Sequence, residues 1–354
     1  MKKSVFPVAV LLLLLWKPAV SLAGAKDGLN LWACVVLPTL LPFMLCSAAV
    51  VASGGIPLLT APFAPFLSRF LGISPSGCYV FLSGLLCGYP MGAKTCADFL
   101  SRGMISRQEA SCLLAISNHP SPMFLLGYVM AGMEALCPVP LFLLSIYLPI
   151  LPVAFLASRM YGYGMGSGPG RRRGPGRGDH AAHGDRTTHE DRAAHGNLPA
   201  AGSPPLSAEP EGFSFDRDFM GCLESMVRIG GYILVFSIMA AYIRELSPLS
   251  PRWNACLLGL TEITTGIHAL KQSLDGPSLA AALAFTSSFG GLSGLFQTKS
   301  VLNLSREPLS GEQKKNAGLS IRHYVLWKLI HGGLSSLIVT ALLHLPAPAA
   351  LLLR

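Results

Sequence analysis

Charge is scarce in this chain. Asp, Glu, Lys and Arg make up 13% of its 354 residues, against roughly a quarter in a soluble globular domain. That shortage excludes a water-facing surface over most of the molecule. Tight cysteine spacing is missing too. The nine cysteines lie scattered through apolar stretches with no C-x-x-C, so they read as small buried hydrophobes rather than as a metal or disulfide framework. No phosphate-binding loop, H-E-x-x-H or nucleotide motif occurs, which argues against an ATP-driven pump formed by this chain alone.

What is present is apolar. Hydrophobic residues make up 51% of the chain, and a spanning helix needs about 20 of them in a row. The segments 5–23, 31–52, 77–100, 110–133, 138–158, 219–243, 255–270, 278–297 and 324–345 meet that description. The fold class expected is an all-α polytopic membrane protein. At the start, Lys2, Lys3, the apolar run 5–16 and the small residues Ser21 and Ala23 mimic a cleavable signal peptide. An uncleaved signal anchor with a cytoplasmic N-terminus fits the rest of the chain better. The net charge of +9 fits apposition to anionic lipid, and no nucleic-acid partner is expected.

One stretch breaks the apolar pattern. Residues 162–212 are rich in Gly, Pro, Arg, His and Asp, and such a composition has too few apolar residues to form a core. His180, His183, His189 and His195 read as solvated residues of a low-complexity loop rather than as metal ligands. Arg171, Arg172, Arg173 and Arg177 favour the cytoplasmic side. The expected organisation is a membrane helix over 1–30, a first membrane half over 31–161, a linker over 162–212 and a second half over 213–354. Deleting 171–202 is expected to leave insertion and activity largely intact. Loss of folded protein after that deletion, read by membrane fractionation, would count against a passive linker.

The two halves resemble each other. "GYPMGA" precedes "LAISNHPSPMFLLG" in the first, and "TEITTGI" precedes "LAFTSSFGGLSGLF" in the second. Gly92 aligns with Gly266, and 114–118 aligns with 283–287. In each half an apolar run ends in a Ser/Thr/Asn cluster followed by Pro or Gly, the pattern of paired broken segments in transporters. Backbone groups freed by a helix break survive at membrane depth only beside a polar cavity or a protein partner. The sequence therefore predicts one break at Gly88, Pro90 and Gly92 and another around Thr264 and Gly266, both facing a central cavity.

The charges inside these segments are few. Glu262 is a functional candidate because an intramembrane carboxylate is costly, and its alternative role is partner to a base or to backbone amides. Lys94 and Asp98 share a helix face and either pair with each other or release Lys94 to meet an anion. Glu224 and Arg228 read as a structural helical pair. His119 is either a proton relay or a packed, hydrogen-bonded histidine.

The runs "GLNLWACVVLPTLLPFMLCSAAVVASGG", "GLLCGYPMGAKTCADFLSRGMISRQEASCLLAISNHPSPMFLLGYV", "GLTEITTGI" and "FGGLSGLFQTKSVL" resemble the sporulation integral membrane protein YlbJ family, stage V sporulation protein V. That family lies within the nucleoside-recognition, or Gate, domain group, whose repeats resemble parts of concentrative nucleoside transporters. The resemblance covers nearly the whole chain outside 162–212. It implies two Gate-like repeats with broken or re-entrant helices. It also implies a role in moving dipicolinate (pyridine-2,6-dicarboxylate) from the mother cell across the outer forespore membrane. The family often has two Asn where this chain has Asn118-His119.

Dipicolinate needs donors for two carboxylates and a flat wall for its ring. Candidate substrate-binding residues are Tyr89, Lys94, Ser117, Asn118, Ser121, Thr286, Ser287 and Ser288, with Tyr89 or Phe289 as the wall. Glu262 and Thr264 are candidates for coupling or gating. No catalytic residue, metal or cofactor is expected, and H+ or Na+ is the candidate coupling ion. The expected partners are a small anionic substrate, the lipid bilayer and other sporulation membrane proteins. Three other readings compete: a nucleoside-like transporter, a non-transporting sporulation scaffold, and an intramembrane protease using Ser293 of "GLSG" with His331 as base.

Overall fold

The computed structural model describes residues 2–133, 136–163, 214–304 and 319–344. Among them every regular element is helical. Most of the 162–212 stretch, with its histidines and arginines, lies outside the described residues, as does the segment 171–202.

The chain opens with α1 (Lys2–Trp16) and α2 (Pro18–Leu31), which meet at a bend of 101°. Pro18 at the first position of α2 lacks an N–H, which cuts the helical ladder there. The continuous span expected over 5–23 is thus two helices. A π turn (Trp32–Val36) carries α2 into α3 (Leu37–Ala52). Two short helices follow, α4 (Ile56–Thr60) and α5 (Ala64–Leu71).

Next come α6 (Pro75–Cys87) and α7 (Met91–Ser101). At 1.5 Å per residue these are about 20 and 16 Å long, too short to cross a hydrocarbon layer of about 30 Å. They fold back on each other: Ser83 Oγ and Thr95 Oγ1 are 2.9 Å apart. The region 77–100, expected as one span, is a helical hairpin whose tip is Gly88-Tyr89-Pro90. Then come α8 (Arg107–Ile116), an extended break, the single turn α9 (Pro122–Phe124) and a second π turn (Leu125–Val129). Pro120 and Pro122 deny the break two N–H donors, so the expected span 110–133 is also interrupted. The first half closes with α10 (Val139–Tyr147) and α11 (Ile150–Tyr161).

The second half repeats the plan. After the long α12 (Phe215–Leu246), α13 (Pro251–Thr261) and α14 (Ile263–Ser273) form a second short hairpin. It replaces the span expected over 255–270. A broken helix follows, α15 (Gly276–Phe289) and α16 (Gly291–Leu304), and α17 (Ile321–Leu343) comes last. Four helical stretches among the described residues are long and apolar enough to cross a membrane: Val139–Tyr161, Phe215–Leu246, Gly276–Leu302 and Ile321–Leu343. Counting each bent pair as one span raises the number to six, fewer than the nine apolar runs suggest. The breaks account for the difference, because they turn apolar length into hairpins.

Glycines set the close contacts in both hairpins. A Cβ on Gly84 would strike the Ser117 carbonyl, and so would one on Gly92. In the second hairpin a Cβ on Gly266 would strike the backbone of Gly259, and one on Gly259 would lie 2.8 Å from Thr286 Oγ1. Gly92 and Ser117 thus correspond to Gly266 and Thr286 in the register of the sequence alignment, while Gly259 stands one residue past the position opposite Gly84. The halves are joined by helix packing. A Cβ on Gly24 of α2 would meet Ile238 Cα of α12 at 2.7 Å, and one on Gly28 would meet Leu234 Cα at 2.9 Å. This is the small-xxx-small mode of membrane helix association. Trp32 Nε1 donates to the Met226 carbonyl at 2.9 Å, and Lys17 pairs with Glu245 at 2.9 Å, along the same seam.

Candidate functional site

The tip of the first hairpin and that of the second open onto one cavity of about 340 Å³. Cys87, Gly88 and Tyr89 come from the first tip, and Glu262, Ile263 and Thr264 from the second. Pro120 and Ser121 come from the break after α8, and Gln297 from α16. The rest of the wall is apolar, from Leu31, Val35, Val36, Leu40 and Phe43, with Ile233 of α12. Phe124 and Tyr128 contribute a flat surface, their rings stacked at 5.4 Å and 17°.

The second break lies at Glu262, the residue between α13 and α14. That is two residues before Thr264, where the sequence reading centred it. Glu262 has extended backbone and caps α14 with its own side chain. Its carboxylate accepts from Thr264 N at 3.2 Å, Thr265 N at 2.8 Å and Thr264 Oγ1 at 2.6 Å. Only 1% of the residue is exposed. Three donors and the positive end of the helix dipole satisfy a charge that burial would otherwise make costly. The register that pairs Gly92 with Gly266 places Gly88 opposite Glu262. Gly88 has φ +82°, a left-handed conformation that suits glycine. One half therefore turns its hairpin with backbone freedom, and the other with a carboxylate cap.

The structure separates the remaining candidates into cavity and interior. Tyr89, Ser121, Glu262 and Thr264 line the cavity. Ser121 spends its hydroxyl capping the next helical turn, accepting from Phe124 N at 3.2 Å. Lys94 is not in the lining; its ammonium pairs with Asp98 at 2.8 Å in a partly exposed i,i+4 contact. Asn118 is turned into protein, donating to Thr298 Oγ1 at 3.0 Å and to the Tyr324 hydroxyl, and accepting from Ala93 N at 3.4 Å. Ser117 and Thr286 meet the glycines of the hairpins. Ser288 donates to Ser335 at 2.8 Å. Ser287 and Phe289 are buried outside the lining. His119 is buried among Phe81 and Tyr147, whose rings meet it edge-on at 5.7 and 5.8 Å. Ser293 accepts from Gln297 at 2.9 Å, while His331 donates to the Ile146 carbonyl at 2.7 Å. Both protease candidates thus have other bonding partners.

Two polar residues escaped the sequence reading. Gln297 reaches the cavity from α16. Lys328 of α17 is 1% exposed, donates to the Asn118 carbonyl at 2.9 Å, and lies 5.6 Å over the Tyr89 ring. A lysine within the apolar run 324–345 was a signal by the same rule that singled out Glu262.

Interrupted helices, apolar length and a cavity at two hairpin tips define a polytopic α-helical integral membrane protein. A curated relative gives that class a context. The sporulation integral membrane protein YlbJ of Bacillus subtilis (strain 168) is 33% identical over 146 residues, which are 41% of this chain and 36% of the relative. The match thus spans about a third of the length of the relative. It supports the family resemblance drawn from the sequence motifs and a sporulation-associated membrane role. No family model and no solved structure matches the chain.

Proposed function

We propose that the chain carries a small planar anion, dipicolinate, across the outer forespore membrane toward the developing spore, as the family resemblance implies. One observation carries this reading: both hairpin tips and the α8 break meet at a single cavity of about 340 Å³. That size lies at the lower end of the range of about 300–1,000 Å³ for small-molecule sites. Interrupted helices at membrane depth are a transporter device, and the aromatic wall of Tyr89, Phe124 and Tyr128 suits a flat ring. In this reading the chain performs no covalent chemistry and needs no cofactor. Glu262 is the candidate carrier of a coupling proton, with sodium as the other candidate ion. A scaffold within the spore envelope would need no such cavity.

Cys87 offers a native reporter, since it belongs to the lining. In a variant that retains only this cysteine, a water-soluble methanethiosulfonate reagent is expected to label it. Dipicolinate at ten times its half-saturating concentration is expected to slow that labelling about tenfold. The measurement is labelling rate in proteoliposomes, paired with uptake of labelled dipicolinate and competition by nucleosides. No uptake of dipicolinate, or competition by nucleosides alone, sinks the assignment.

A further inference from the structure

The charge that would receive an anion is not the one nearest the helix break in sequence. We propose that Lys328 is the anion receptor of this site, screened from the cavity by the ring of Tyr89; the inference rests on the transporter reading above. An ammonium has three N–H donors. The Asn118 carbonyl is the hydrogen-bond acceptor found for Lys328, at 2.9 Å. No ion pair among the described residues includes it. Its other neighbour is the π face of Tyr89 at 5.6 Å, an arrangement that attracts a cation without neutralising it. A lysine in a membrane helix normally finds a counter-charge or a functional partner.

Polar groups around this contact also lack partners. The Tyr89 hydroxyl, and the Ser117 hydroxyl and both ring nitrogens of His119 on either side of Asn118, are buried without a hydrogen-bond partner. Buried polar groups are ordinarily satisfied. Tyr89 belongs at once to the cavity wall and to the Lys328 contact. An entering carboxylate would supply negative charge to Lys328 and an acceptor to the Tyr89 hydroxyl. The ligand class is therefore a planar carboxylate whose ring can displace that of Tyr89. Lys94 already has the Asp98 carboxylate at 2.8 Å and serves as the internal control.

The test uses the wild-type protein in proteoliposomes, treated with formaldehyde and a mild borane reductant during dipicolinate uptake. Peptide mass spectrometry reads methylation at each lysine. Because Tyr89 screens it, Lys328 is expected to be methylated slowly, through opening of that ring, in the absence of ligand, and about tenfold more slowly still at ten times the half-saturating concentration. Lys94 should be unaffected. Equal labelling of Lys328 with and without ligand, or none in either condition, overturns the inference and leaves Lys328 as a tie between α17 and the break. A second measurement compares dipicolinate with its neutral diamide in Lys328→Gln and Lys328→Arg. The Gln variant should lose at least about tenfold of the preference for the diacid, and the Arg variant should keep part of it. An unchanged preference overturns the inference too. If the wild-type vesicles take up no dipicolinate, the transporter reading itself fails; uptake with an unprotected Lys328 removes only the receptor.

Discussion

Gly84→Ala and Gly266→Ala should each sharply lower the amount of folded protein in the membrane. The added methyl of Gly84→Ala would occupy the position of the Ser117 carbonyl, and that of Gly266→Ala would press on the backbone of Gly259. Neither obstacle is a side chain that can rotate away. Overpacking a core typically costs about 1–3 kcal/mol. A clash with main chain at the crossing of two helices belongs at or above the top of that range. A loss of about 3 kcal/mol lowers the ratio of folded to unfolded protein on the order of a hundredfold, a large share of total stability. The controls are Gly127→Ala, Gly221→Ala and Gly333→Ala, where the same methyl meets nothing within 4 Å. The measurement is the monodisperse fraction after detergent extraction, with a thermal melt. Hairpin variants that behave like these controls would show that the close crossings do not hold the fold together.

Replacing Glu262 should stop transport by one of two routes, and two variants tell them apart. Glu262→Ala removes the acceptor of Thr264 N, Thr265 N and Thr264 Oγ1. Loss of an N-cap costs about 1 kcal/mol, and hydrogen bonds to a charged acceptor are worth about 1.5–3 kcal/mol each. The second hairpin should therefore loosen, with a lower melting temperature and uptake reduced at least about tenfold. Glu262→Gln removes the charge and keeps one acceptor oxygen, enough for Thr264 Oγ1 and Thr265 N, at the loss of the weaker bond from Thr264 N at 3.2 Å. If the carboxylate carries a coupling proton, this variant stays folded yet loses the pH dependence of uptake. Normal uptake at every pH in a folded Glu262→Gln protein would reduce Glu262 to a helix cap.

The sequence made the first break plain and blurred the second for a physical reason. Gly88 and Pro90 mark a break whatever surrounds them, because one permits left-handed backbone and the other lacks a donor. Glu262 is neither. It breaks the helix by capping, a role usually taken by shorter polar side chains, so the charge drew a functional reading and the break was placed at Thr264 and Gly266. The pairing of Gly92 with Gly266 was legible, since only glycine tolerates these crossings. Which polar residues face the cavity was not. Asn118 and Ser121 lie in the same break, yet Asn118 turns toward Thr298 and Tyr324 while Ser121 reaches the lining. That choice is made by α16 and α17, far along the chain. Lys94 stood out because it follows the break, although its partner four residues on was in view. Lys328 went unread because α17 looked like an ordinary apolar span.

The seam between α2 and α12 has a consequence for how the molecule comes into being. Gly24 and Gly28 present a groove that Leu234, Ser237, Ile238 and Ala241 of α12 fill. Those residues leave the ribosome after the whole of 164–213 has been made. Until then the earliest helices must wait in the bilayer with their groove filled by lipid or held by an insertion factor. The protein therefore cannot be completed half by half in order of synthesis. A gene cut within 164–213 should still give a working molecule when both pieces are made in the same cell, and neither piece should be stable when made alone.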